Sequence, residues 1–131
     1  MRHVLIIVAN RDFQDLEFGN PYRAFQQHGC KVSVASGEGG ECFGVFGLKI
    51  EHSLRFDEID VKDYDALIFV GGGGAYEQYW GDPRYLALAT EFLSAQATTS
   101  KILGAICITP TILAPSGIFK GKEVTARDDG N

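Results

Sequence analysis

Cysteine is scarce and unpaired in this sequence. Cys30, Cys42 and Cys107 make an odd count with no C-x-x-C spacing, which speaks against a disulfide framework or a zinc knuckle and for a reducing cytoplasm. Positive charge is short as well. Twelve Lys and Arg against seventeen Asp and Glu leave a net charge of −5, with no basic cluster. A nucleic-acid partner is therefore not expected. No apolar run approaches the roughly 20 residues of a membrane helix, so no membrane partner is expected either. The opening MRHVLIIVAN is apolar but short and lacks a small-residue cleavage site, and it reads as a first strand rather than a signal peptide. Repeats, low-complexity tracts and linkers are missing, and 131 residues suit one domain with a real core.

What is present is an alternation of strands and helices. HVLIIVA (3–9) is a continuous apolar run, as a parallel strand buried on both faces requires. After an NRDFQD turn, Phe18, Tyr22 and Phe25 recur at helical spacing up to Gly29, a natural stop. Pro21 fits only an early turn of that helix. KVSVAS (31–36) reads as a second strand and ECFGVFGLKIEHS (41–53) as a small antiparallel excursion. DALIFV (65–70) is another buried strand, ending in GGGGA. Asp82-Pro83 then opens a helix whose buried face is read as Leu86, Ala89, Phe92 and Leu93. KILGAI (101–106) is the next strand. The pattern predicts an α/β fold with a mostly parallel sheet covered on both faces. GKEVTARDDGN resembles a strand breaking off at a turn, so the single domain 1–131 is expected to be incomplete at its C-terminus.

Several motifs fail on inspection. Counted from Gly71, the third glycine of G-x-G-x-x-G falls on Tyr76, and GIFKGK (117–122) is one residue short of a P-loop. No nucleotide, and no other cofactor, is implied. His3, His28 and His52 are scattered and read as surface residues. Cys30 and Cys42, near strand starts, read as structural, and the carboxylates of DFQDLEF (12–18) as a solvated helix start. Two features remain. Gly71 and Gly72 end a strand at the carboxyl edge, where α/β folds place ligands and backbone N–H groups can hold an oxyanion. In ILGAICITPTILA (102–114), Cys107 separates a strand from a Thr-Pro that can open a helix. Helix N-termini favour a thiolate, and a strand–cysteine–helix order is the thiol counterpart of a nucleophile elbow. Context alone leaves packing and chemistry about equally weighted for that thiol.

AIC-x-x-P at 105–110, FVGG at 69–72 after DYDALI, D-x-E at 15–17 after a first apolar strand, and LAPSGIFKGKEVT resemble the DJ-1/PfpI superfamily across essentially the whole chain, in order. The resemblance implies a flavodoxin-like three-layer α/β/α sandwich and a homodimer. It also implies a reactive elbow cysteine, Cys107, hydrogen-bonded by a glutamic acid, Glu17. Backbone donors would be Gly71, Gly72 and Ile108. Peptidase-type members carry a histidine directly after the cysteine, where this chain has Ile108, and DJ-1-like members carry one about twenty residues on, where it has Arg127. Three functions stay open. One is hydrolase or glyoxalase/deglycase-like chemistry on small electrophiles such as reactive aldehydes. The second is a non-enzymatic redox sensor or chaperone-like stress protein. An intracellular cysteine peptidase or amidase is the third. The expected partners are a small electrophile and either a second copy or a complementary C-terminal chain.

Overall fold

The computed structural model describes residues 2–79, 82–94 and 102–106. Cys107, Ile108 and Arg127, the LAPSGIFKGKEVT segment and the C-terminal strand expectation lie outside the described residues.

Four strands, β1 (His3–Ile7), β3 (Lys31–Ala35), β6 (Ala66–Phe69) and β7 (Ile102–Ala105), form one parallel sheet in the order β3-β1-β6-β7. The central position of β1 explains its unbroken apolar run, because both of its faces are covered. Side chains alternate across a strand with period two. Leu5 and Ile7 enter one core with Leu67, Phe69, Tyr79, Tyr85, Leu88 and Phe92, under helix α2 (Pro83–Ser94). Val4, Ile6 and Val8 enter the other with Ile68, Val70, Phe13 and Phe18, under helix α1 (Asp15–Gln27). The α/β fold with a mostly parallel sheet therefore stands. Each fully buried Leu, Ile or Phe contributes about 1.5–3 kcal/mol of transfer free energy.

Helix α1 ends as its sequence predicts: Gly29 takes φ +78°, the left-handed conformation that glycine adopts without a Cβ penalty. Its interior differs from expectation. Pro21 lies inside the helix rather than in an early turn, and it has no N–H to donate to the carbonyl of Glu17. Phe18, buried between Phe13 and Tyr22, anchors that turn to the core. In α2 the buried face is Tyr85, Leu88, Ala89 and Phe92, while Leu86 and Leu93 pack only at its margin, a rotation of the expected stripe.

The antiparallel excursion is present as β4 (Cys42–Gly44) and β5 (Lys49–Ile50). It recruits a strand not foreseen. Within the expected NRDFQD turn, Arg11–Phe13 forms β2, paired parallel with β4. The signal was masked because only Phe13 of the three is buried. Among the described residues no helix is long and apolar enough to cross a membrane.

Candidate active site

The carboxyl ends of β1 and β6 meet at the place where the strand order reverses from β3 to β6 around β1, the usual ligand crevice of an open parallel sheet. Two loops close on each other there, residues 10–14 after β1 and residues 70–74 after β6. The Gly71 carbonyl accepts from the Gln14 N–H at 3.0 Å, and the Gly71 N–H donates to Glu17 Oε1 at 3.1 Å. Glu17 belongs to the first turn of α1, where the helix dipole favours a carboxylate. Gln14 caps that helix through its side chain, accepting from the Leu16 N–H at 2.8 Å. The carboxylate of Glu17 is thus held against the end of β6, 54 residues away in sequence.

Glycine is required on the other side of this contact. Gly72 adopts φ +111°, and a Cβ there would stand 2.6 Å from the Gln14 nitrogen and 2.8 Å from the Asp12 carbonyl oxygen. A Cβ on Gly74 would collide with the Arg11 carbonyl. The GGGG run is therefore a close-approach surface for the loop after β1, not a phosphate cradle. Asp12, itself at φ +60°, is the one described residue other than glycine with positive φ, and it forms the facing wall.

Of the sequence-derived residues, the structure brings Glu17, Gly71 and Gly72 together. Gly71 spends its N–H on Glu17, which makes it a holder of the carboxylate rather than a donor waiting for an oxyanion. On the neighbouring strand, β7 pairs with β6 in the register Phe69↔Ala105, and the Ile106 N–H donates to the Phe69 carbonyl at 3.1 Å. The residues that precede Cys107 in sequence thus run alongside the strand that leads to Gly71.

The carboxylates of DFQDLEF are not a uniformly solvated turn. Asp12 is exposed, but Asp15 clamps the excursion, accepting from the Phe46 N–H at 2.9 Å and the Leu48 N–H at 2.8 Å. Two further residues escaped the sequence reading. Tyr79, 1% exposed, donates its hydroxyl to the carbonyls of Ile7 (3.1 Å) and Val70 (3.0 Å), tying the ends of β1 and β6; burial pushes its pKa well up. Asn10 donates to Ser36 Oγ and the Gly39 carbonyl, each at 3.0 Å, and accepts from the Glu38 N–H at 3.0 Å. Only its place one turn after a buried strand could have pointed to it.

Cys42 is fully buried, with its sulfur 3.4 Å from Ser53 Oγ, and Cys30 is half-buried at the opposite end of the sheet, so both fit structural places. His28 and His52 are exposed, whereas His3 is half-buried, with Nε2 2.8 Å from Ser33 Oγ. Among the described residues no group of three His, Cys, Asp or Glu could hold a metal ion.

Residues 2–129 match the family model described as the DJ-1/PfpI family. An uncharacterized protein of Methanocaldococcus jannaschii is 38% identical over 122 residues, covering 93% of this chain and 58% of that protein. Deglycase PfpI of Pyrococcus furiosus is 34% identical over 130 residues, 96% of this chain and 75% of the deglycase. Among solved structures, a ThiJ/PfpI domain protein from Brachyspira murdochii superposes with a TM-score of 0.86 at 32% identity, covering 95% of this chain and 69% of that one.

Proposed function

The chain belongs to the DJ-1/PfpI family, and from that premise we propose that it uses Cys107 as a nucleophile on small electrophiles, with hydrolase or glyoxalase/deglycase-like chemistry on reactive aldehydes. The observation that carries this reading is the Glu17–Gly71 hydrogen bond at 3.1 Å. It fixes a carboxyl group at the carboxyl end of β6, whose neighbour β7 pairs with it in the register Phe69↔Ala105, two residues before Cys107 in sequence. Further support comes from the name of the Pyrococcus relative, a deglycase.

In this reading the Cys107 sulfur adds to the carbonyl carbon of an aldehyde, and the carbon–oxygen π electrons move to oxygen. The N–H groups of Gly72 and Ile108 hold the developing oxyanion. Glu17 receives the thiol proton and returns it to that oxygen, giving a hemithioacetal. Gly71 keeps the carboxyl group aimed by donating to its other side. An odd count of three cysteines with no C-x-x-C spacing supports a reducing cytoplasm as its compartment, and the chain associates with a second copy or a complementary C-terminal chain.

One observation favours a second reading, a redox sensor that oxidises without turnover. Ile108 and Arg127 occupy the positions at which the family resemblance leads one to expect histidine, the usual general base. Methylglyoxal separates the two. Consumption by the wild-type chain that is abolished in Cys107→Ala establishes the enzyme. Absence of turnover, with peroxide still oxidising Cys107 ahead of Cys30 and Cys42, establishes the sensor.

A further inference from the structure

The peptide group between Val70 and Gly71 is held at both of its polar atoms. Its N–H donates to Glu17 Oε1 at 3.1 Å, and its C=O accepts from the Tyr79 hydroxyl at 3.0 Å. The oxygen and nitrogen of one peptide group share delocalised electrons. A donor on the oxygen therefore makes the N–H hydrogen more positive and strengthens the bond it makes. Hydroxyl, carbonyl, amide and carboxylate form one line from Tyr79 to Glu17.

Tyr79 is fixed for that role. It ends the helical turn Ala75–Tyr79, its ring stacks on Tyr85 at 4.2 Å between centroids, and it stands edge-on to Phe69. Burial, first of all, pushes its pKa well up, so the hydroxyl stays a donor across the ordinary pH range. Its two acceptors are not equivalent. The Ile7 carbonyl also accepts from the Val70 N–H at 2.9 Å, whereas no other described residue donates to the Val70 carbonyl. The peptide that faces Glu17 is the one that depends on Tyr79.

On the loop and helix turn that carry Glu17, Arg11 and Asp12 are exposed, and Asp15 is taken up by the Phe46 and Leu48 N–H groups. Cys107 is the ionisable group that the proposed function adds. We propose that Tyr79 is a positioning residue of the site, strengthening through the Val70–Gly71 peptide the bond that stabilises the Glu17 carboxylate. What Glu17 does with its proton rests on the proposed function; the bonds that reach it do not. A carboxylate stabilised in this way gives its proton back more readily, the step that returns it to the substrate oxygen.

The test follows the ¹³C-labelled Glu17 carboxyl and the Gly71 amide by NMR against pH. It is run in the Cys107→Ala chain, where the carboxyl titrates without the thiol, so failure of the Cys107 reading leaves the result interpretable. In Tyr79→Phe the Glu17 midpoint should rise by roughly 0.1–0.7 pH unit, the share of a charge-assisted bond that one cooperating donor contributes. The Gly71 amide proton should move upfield. A ring-fluorinated tyrosine at position 79, a stronger donor of nearly the same shape, should shift both readings the opposite way, and it decides the matter if Tyr79→Phe does not fold. Tyr85→Phe, which removes a buried hydroxyl from the stacked ring but none from this line, should leave both in place. An unchanged Glu17 midpoint in Tyr79→Phe, an equal shift in Tyr85→Phe, or a fluorotyrosine that shifts neither reading would each overturn the proposal.

Discussion

The two ends of the parallel sheet are built differently. At the amino end, Arg2 and Asp65 pair at 3.9 Å with the arginine largely in water and the aspartate partly so, a contact worth about 0–1 kcal/mol. His3 rests against Tyr64, ring centroids 4.3 Å apart, and Cys30 is half-buried. At the carboxyl end the polar groups are inside. Ser36, Ser53, Tyr79 and Tyr85 are each at most 1% exposed, and backbone approaches backbone closely enough that glycine is required at 72 and 74. Loop-to-loop contacts of this kind cost conformational freedom and raise the stakes of any unpaired polar group. Such an arrangement persists where geometry has to be fixed, and here it fixes Glu17.

The sharpest way to break this contrast is to add one methyl group at each end. Gly72→Ala combines positive φ with a Cβ 2.6 Å from the Gln14 nitrogen. It should cost about 3 kcal/mol or more. Gly29→Ala, at the amino end, meets nothing within 4 Å and carries only the positive φ, so it should cost about 1–2 kcal/mol. Urea midpoints at constant slope measure both, and equal losses would erase the distinction.

Next in size is Tyr79→Phe. Removing the hydroxyl leaves the carbonyls of Ile7 and Val70 without that donor. Stability should fall by about 1–2 kcal/mol, with hydrogen exchange accelerating at the ends of β1 and β6. A neutral effect would mean that the carboxyl end is less tightly tied than its bonds suggest.

The smallest effect belongs to the amino end and depends on pH. Burial, followed by repulsion from Lys31, lowers the His3 pKa from 6.5. The folded state therefore binds fewer protons than the unfolded chain at mildly acidic pH. Stability is complete above about 6.5 and declines as the pH falls through that value towards the lower folded pKa. His3→Gln should flatten that decline, as read from urea midpoints between neutral and mildly acidic pH. A slope unchanged by the substitution would remove His3 as its source.

Most of the sheet was legible because β1, β6 and β7 are near-continuous apolar runs, β3 alternates Val with polar residues, and Gly29 marks the end of α1. What the sequence hid depends on partners far along the chain. Asp15 looks like any acidic residue at a helix start until residues 46 and 48 fold onto it. Tyr79 reads as an ordinary aromatic residue until it meets two strand-end carbonyls. Arg11–Phe13 becomes a strand only because β4 lies beside it. The core face of α2 was displaced because Tyr85, stacked 4.2 Å from Tyr79, outweighs the smaller Leu86 in setting the helix rotation. Of the proposed site residues, Gly71 and Gly72 stood out by their place at the end of a strand before any family motif was considered, whereas Glu17 was singled out by the motif alone. Nothing local in DFQDLEF distinguishes Glu17 from Asp15.

The proposed function makes Glu17 and Cys107 one titrating pair, with the carboxyl protonated when the sulfur is a thiolate, because two negative charges brought into hydrogen-bond contact would repel. The direct measurement is the rate of Cys107 alkylation by iodoacetamide against pH, followed by peptide mapping, in the wild type, Glu17→Gln and Glu17→Leu. The account predicts that Cys107 is labelled ahead of Cys30 and Cys42, and that its thiol pKa shifts in both variants, most in Glu17→Leu. A Cys107 profile that is the same in Glu17→Leu as in the wild type would contradict it.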